Sequence, residues 1–181
     1  MVGEHFSAQA RRVIAGVDEQ GRSTIDVDED TSIRLTTPAF TVCDIWQVTN
    51  LPVHTMNHDS TSGEVLLDPP PAGFVYRLTT FPPDSEWDPE SQYRAALEAM
   101  GNADAASNDS DSGIAGLHQT ETVDVITVLT GELYAVLETA ETLLRPGGSF
   151  VQRGTKHTWS NRGTEPCTIV ALQIGATHSA T

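Results

Sequence analysis

Two histidines and one aspartate are the residues of this sequence whose types and spacing could do chemistry. Successive side chains of a strand point to opposite faces, and this period places His118 and Asp124 on one face of LHQTETVDVITVLTGEL. It also places His157, Trp159 and Asn161 on one face of VQRGTKHTWSN. Imidazole and carboxylate groups transfer protons and bind transition metals. If the two faces meet, we expect such chemistry in one shared cavity.

Short strands must bring these two faces together. The runs RRVIAGV, STIDVD, SIRLTT and FTVCDIWQV lie between Arg11 and Val48, and FVYRLTTF covers residues 74–81. Their β-branched and aromatic residues are typical of strands. From Leu117 onward, strand-like runs alternate with glycine turns at Thr130-Gly131, Pro146-Gly147-Gly148 and Arg162-Gly163. This spacing predicts an antiparallel sandwich or barrel.

One helix is predicted over residues 88–101. Asp88 is an N-cap candidate, Pro89 occupies the first turn and Gly101 can end the helix. Its apolar residues Tyr93, Leu97 and Met100 fall on one face, as in a helix that docks on a core. With the acidic loop over 106–113, which we expect to be mobile, the helix forms an insertion over 84–116. The predicted single domain, 1–181, thus has N-terminal strands over 10–83 and a core over 117–176.

Composition excludes several classes of partner. The chain has 181 residues and a formal charge of -15, which repels nucleic acid and anionic membrane surfaces. No apolar run is long enough to span a bilayer, and the N-terminus lacks the features of a secretory signal, so a cytoplasmic location is expected. Cys43 and Cys167 lie in apolar runs without metal-ligand spacing, which favours buried thiols.

The stretch from residue 117 to 131 resembles the first motif of the cupin superfamily, H-x-H-x(3,4)-E-x(6)-G. His118, Thr120, Asp124 and Gly131 stand at its four marked positions, with six residues between Asp124 and Gly131. Two positions differ from the family pattern: the second histidine is Thr120, and the glutamate is the shorter Asp124.

The following stretch resembles the second cupin motif, G-x(5)-P-x-G-x(2)-H-x(3)-N, in a form one residue shorter. Gly147 begins it, residues 152–154 (QRG) replace P-x-G, and His157 and Asn161 match. Both stretches are also similar to a subgroup of small single-domain cupins marked by H-x-T-x-T-x-D and Q-R-G-T-x-H-x-W-x-N. The resemblance implies an all-β fold, the double-stranded β-helix or jelly-roll barrel, with one short helical insertion.

The resemblance also implies a ligand set. Cupins that bind metal use three histidines and one glutamate, and the matching positions retain His118, Asp124 and His157. This set is that of a non-haem iron centre and would also accept Zn, Mn or Ni. The implied function is a metal-dependent oxygenase, decarboxylase, lyase or isomerase acting on a small organic molecule, with His157 and Asp124 as catalytic residues.

Two metal-free alternatives stay open. The same pocket could belong to a small-molecule-binding or sensor module without catalysis, in which His118 and Asp124 form a buried hydrogen-bonded pair. It could also belong to an isomerase or cyclase that uses His157 as its base. In each case we expect Thr120, Tyr134, Gln152 and Trp159 to contribute to the substrate pocket, although each could equally complete the core or the strand network.

A homodimer is a further expectation. Similar cupins commonly pair through their N-terminal strands, and the segment Ala39 to Val48 could provide the edge for such pairing.

Overall fold

The computed structural model describes residues 3–56, 61, 63–102 and 113–177. This part of the chain is all-β with one short α-helix, as predicted. The strands are β1 (Arg11–Val17), β2 (Ser23–Asp30), β3 (Arg34–Thr36), β4 (Thr41–Val48), β5 (Phe74–Phe81), β6 (Thr122–Thr130), β7 (Leu133–Leu137), β8 (Glu141–Leu144), β9 (Ser149–Gln152), β10 (His157–Ser160) and β11 (Cys167–Gly175), and the helix is α1 (Pro89–Ala99).

The strands form three antiparallel sheets. A six-stranded sheet has the order β3-β4-β5-β11-β6-β9, a three-stranded sheet has the order β10-β7-β8, and β1 pairs with β2 alone. One hydrophobic core contains residues from the two larger sheets, such as Ile126 and Ile169 from one and Leu133 and Trp159 from the other. The two larger sheets therefore enclose a common interior, in which the predicted functional faces lie.

Alternation along β6 follows the predicted strand period. Thr122, Asp124, Ile126 and Val128 are all buried, whereas Val125 between them is 40% exposed. Because one face of the strand packs on the interior and the other faces solvent, the register cannot slip by one residue without exposing the buried set. The polar Asp124 is thus held inside the barrel by its apolar neighbours on the same face.

The helix α1 begins and ends where the sequence predicts. The Asp88 side chain accepts a hydrogen bond from the Glu90 amide at 3.2 Å, which satisfies one of the free N–H groups of the first turn. Gly101 follows the helix with a left-handed φ of 79°. Tyr93, Leu97 and Met100 are buried, so the predicted apolar face does dock on the core. The acidic loop predicted over 106–113 lies outside the described residues except for Gly113.

Two further expectations concern cysteines and edges. Cys43 and Cys167 are free and buried, as predicted. The prediction that Ala39 to Val48 provides a free pairing edge is wrong in part. Thr41 to Cys43 of β4 pair with β3 on one side and with β5 on the other. A strand flanked on both sides has no free N–H and C=O row to offer. The homodimer remains a prediction.

No helix among the described residues is both long and apolar enough to cross a membrane.

Candidate ligand-binding site

The structure brings the two predicted histidines side by side. His118, just before β6, forms an isolated bridge with His157 at the start of β10. Each backbone amide donates to the carbonyl of the other residue at 2.9 Å. The two imidazole centroids are 4.4 Å apart, and both rings line the same interior cavity. The backbone bridge therefore fixes the spacing of the two rings.

Both imidazoles are held in the same tautomer by backbone carbonyls. Nδ1 of His118 lies 2.9 Å from the Gly116 oxygen, and Nδ1 of His157 lies 3.0 Å from the Thr155 oxygen. A carbonyl oxygen only accepts hydrogen bonds, so each Nδ1 must carry the hydrogen and donate it. The Nε2 atom of each neutral ring is therefore left with a lone pair and acts as an acceptor.

Burial keeps the two imidazoles neutral. It lowers the pKa of His118 below its ordinary value. Burial, followed by the neighbouring His118, lowers the pKa of His157 to about 3. Desolvation disfavours the charged form of an imidazole, and a second imidazole alongside disfavours it further. At neutral pH both rings are hydrogen-bond acceptors rather than cations.

Asp124 is buried at the cavity wall, apart from the histidine pair. Its side chain is 2% exposed, and burial raises the pKa of its carboxyl group. One oxygen, Oδ2, accepts a long hydrogen bond of 3.5 Å from the Gln173 amide. The other, Oδ1, has no hydrogen-bond partner among the described residues. Because His118 donates to Gly116 instead, the predicted His118–Asp124 pair does not form.

The donor geometry does not support the predicted metal set. Within residues 3–56, 61, 63–102 and 113–177, no group of three or more His, Cys, Asp or Glu side chains is placed to hold one ion. His118 and His157 present the right atoms, since a metal-bound imidazole is neutral and often donates its other N–H to a carbonyl. Asp124 does not join them, so the three residues do not fit one metal centre in this arrangement.

The cavity has a volume of about 70 Å³ and an apolar wall with polar groups at intervals. Of the predicted pocket residues, Thr120 and Trp159 line it, and Thr120 Oγ1 is 2.7 Å from Thr122 Oγ1. The ring of Trp159 lies edge-on to His157, with 5.6 Å between centroids. Trp159 thus takes part in both the core and the site.

Tyr134 and Gln152 do not line the cavity, which corrects the expectation for both. Tyr134 is partly exposed and lies under the guanidinium of Arg162, 4.1 Å from the ring centroid. Gln152 is buried, but its side chain accepts from the Thr155 hydroxyl at 2.6 Å and donates to the Thr155 carbonyl at 3.1 Å. It therefore braces the turn whose carbonyl orients His157, without meeting a ligand.

Three lining residues were missed as site residues. Tyr93 on α1 lies 6.0 Å from His118 between ring centroids, and Arg77 of β5 and Gln173 of β11 also line the cavity. The helix insertion therefore covers one side of the site, and Tyr93 is the group that links it to the histidines. The helical period already identified Tyr93 as a docking residue, but no sequence pattern relates that face to His118.

Gly116 positions both His118 and Tyr93, so its replacement by alanine tests this packing. Gly116 has a φ of 71°, and a Cβ there would lie 2.6 Å from Cγ of Tyr93. Gly113 has a φ of 68° with nothing within 4 Å of a Cβ, which makes Gly113→Ala a control for backbone strain alone. We expect Gly116→Ala to lose about 1–3 kcal/mol more stability than Gly113→Ala in urea unfolding. Equal losses would contradict the predicted contact.

The strand order of the two larger sheets and the position of both motifs at one cavity agree with the resemblance found in the sequence. The fold is a cupin-type barrel.

A quarter of the chain is similar to two curated proteins. No protein-family model matches the chain. Phomopsin biosynthesis cluster proteins C' and D of Diaporthe leptostromiformis are each 47% identical to it over 47 residues. That stretch is 25% of this chain and 25% of each relative, so the match covers only about a quarter of the length of these curated proteins.

Several solved structures are similar to this cupin-type barrel. The cupin domain of Cnp3 from Schizosaccharomyces pombe is 11% identical, with a TM-score of 0.47 over 93% of this chain and 88% of that one. An ethanolamine utilization protein of Salmonella typhimurium is 10% identical, with a TM-score of 0.46 over 94% of this chain and 100% of that one. A cupin 2 conserved barrel protein of Salinispora arenicola is 14% identical, with a TM-score of 0.42 over 78% and 80%. Likenesses at this level say nothing of what this chain binds.

Proposed function

We propose that this cupin-type barrel binds a small organic molecule with hydrogen-bond donors, which Nε2 of His118 and of His157 accept. One observation carries the proposal: both Nδ1 atoms are engaged by backbone carbonyls, so two fixed acceptors are available to the cavity that the rings line. A mostly apolar cavity with a few convergent polar groups is typical of a small-molecule site.

Binding is better supported than catalysis by either predicted mechanism. A general base works best when its pKa is near the operating pH, and a pKa of about 3 makes His157 a weak proton acceptor. A metal-dependent reaction through His118, Asp124 and His157 requires three donors around one ion, and those donors are not grouped in this way. We therefore favour the ligand-binding or sensor alternative.

The proposal can be tested with two probes of equal size. Isobutanol has an O–H donor, and isopropyl methyl ether has the same number of heavy atoms and none. We expect isobutanol to bind several-fold more tightly and to shift the ¹⁵N resonance of an Nε2 atom in an NMR titration, because its one O–H group gives a hydrogen bond to one of the two acceptors. His157→Phe, which keeps a ring without that acceptor, should reduce the preference.

Tyr134→Phe is the matched control, because Tyr134 does not line the cavity and its ring contact with Arg162 is retained. Equal affinity for alcohol and ether, or a loss in Tyr134→Phe as large as in His157→Phe, would contradict the proposal. Metal analysis of protein purified without chelator provides a second check. A stoichiometric Fe, Zn, Mn or Ni ion that disappears in His118→Ala would replace this proposal with the metal-dependent one.

A further inference from the structure

The one cation among the described cavity-lining residues, Arg77, is already neutralised within the protein. Its Nε lies 2.9 Å from Oδ1 of Asp44, and its Nη2 donates to Oδ2 at 3.2 Å. Both residues are buried, with Arg77 4% and Asp44 1% exposed. Since the guanidinium and this carboxylate balance each other, Arg77 does not offer a free positive charge to a ligand.

Arg77 interacts electrostatically with Asp124 but forms its ion pair with Asp44, so the cavity keeps one unbalanced negative charge, that of Asp124. Its Oδ1 is buried without a hydrogen-bond partner among the described residues, and so is Oε1 of Gln173 beside it. A buried acceptor left without a donor costs free energy that a suitable ligand would recover. Together with Nε2 of His118 and His157, these atoms make the cavity rich in acceptors, which favours a ligand with several donors.

Four aromatic rings surround the same space. Phe40 lies 6.2 Å from both Phe81 and Tyr93 between centroids. Phe81 lies 6.5 Å from Trp159, and all four residues line the cavity. The faces of aromatic rings attract cations, and aromatic side chains line many sites for organic ammonium groups. The wall thus suits a positive charge as well as an apolar group.

The net charge of the whole chain also favours a positively charged ligand. It carries 25 acidic and 10 basic side chains, with a formal charge of -15. A field of this sign raises the local concentration of small cations and their rate of association. An anionic ligand would meet both this field and the unbalanced carboxylate of Asp124.

We propose that the ligand of this cavity is a small organic cation, a protonated amine with an apolar group, whose ammonium donates to Asp124 while its carbon atoms lie against the aromatic rings. This inference rests on the proposed function and names the class of molecule that the site selects. It assigns Asp124 to ligand binding rather than to a metal.

The test compares isobutylammonium with isobutanol, which has the same carbon skeleton. At about pH 7.5 the amine is protonated, as a lysine side chain is, and both probes are titrated by NMR against the full chain. We expect the unmodified protein to bind the amine at least tenfold more tightly than the alcohol. In Asp124→Asn, which keeps the shape of the side chain and removes its charge, this preference should fall to about twofold or less.

Glu121→Gln is the control variant, because it removes one charge from an exposed residue three positions along the same stretch. It should keep the tenfold preference. If the unmodified protein binds isobutanol as tightly as the amine, the amine proposal is overturned and the binding pocket stands. If it binds neither probe, both proposals are overturned. Because this comparison uses the unmodified protein, it decides the matter even if Asp124→Asn fails to fold.

Discussion

Asp44→Asn should destabilise the folded protein by about 3–5 kcal/mol, the usual loss when one partner of a buried ion pair is removed. Asp44 and Arg77 are directly opposite each other on β4 and β5, with 2.9 Å between Oδ1 and Nε. The variant leaves a buried guanidinium without a counter-charge, although burial already lowers the pKa of Arg77. Urea unfolding followed by circular dichroism gives the difference directly.

Two further variants distinguish the cost of leaving one buried charge unpaired from the net contribution of the ion pair to stability. The double variant Asp44→Leu with Arg77→Met replaces both partners with apolar side chains and should recover most of the loss. Asp28→Asn breaks the exposed ion pair between Asp28 and Arg11, whose side chains are 47% and 67% accessible, and should cost far less stability than Asp44→Asn because solvent screens this pair. A loss in Asp44→Asn no larger than in Asp28→Asn would show that the buried pair is unimportant.

The strands and the helix follow closely from local sequence. The runs beginning at Arg11 and Ser23 become β1 and β2, because β-branched residues suit a pleated surface wherever it packs. Asp88, Pro89 and Gly101 set the ends of α1 through backbone hydrogen bonds and φ angles, which are properties of neighbouring residues. The burial of alternate residues along β6 has the same local origin. Such features require no knowledge of how distant segments meet.

The site is less predictable because its parts come from distant segments. His118 and His157 could be found from strand period and motif, but Arg77 and Gln173 enter the cavity only through the pairing of β5 and β6 with β11. Whether Asp124 reaches the histidines depends on the length of one side chain and on side-chain packing. No spacing in the sequence encodes either.

Tyr134 and Gln152 were wrongly predicted to line the pocket, for two different reasons. Tyr134 lies between the buried residues Leu133 and Ala135, so the strand period alone turns it away from the interior, and a stricter use of that period would have excluded it. Gln152 does point inward, as the period indicates, but its amide is used by Thr155. A buried amide generally finds local partners first, which a pattern of residue types does not show.

Acid should unfold this protein at a pH where most of its carboxylates are still charged, because His118 and His157 are buried as neutral rings. The unfolded histidines take up protons near pH 6.5, whereas burial lowers the folded pKa of His118 and that of His157 to about 3. The contribution of both to stability is therefore complete above pH 6.5 and is lost as the pH falls below 6.5, for His157 down to about pH 3. Between pH 7.5 and 5 we expect His157 to account for a loss of up to about 2 kcal/mol, and His118 to add a loss of the same sign.

Asp124 has the opposite effect on the pH dependence of stability, and the direction of its effect is part of the test. Burial raises its folded pKa above the unfolded value, so the cost of holding it charged is relieved as the pH falls. The free energy of unfolding by urea, plotted against pH, should therefore have a shallower slope in His157→Asn and a steeper slope in Asp124→Asn. A stability that stays flat from pH 7.5 to 5 in the unmodified protein would mean that the imidazoles take up protons in the folded state, and the two acceptors on which ligand recognition depends would then be donors instead.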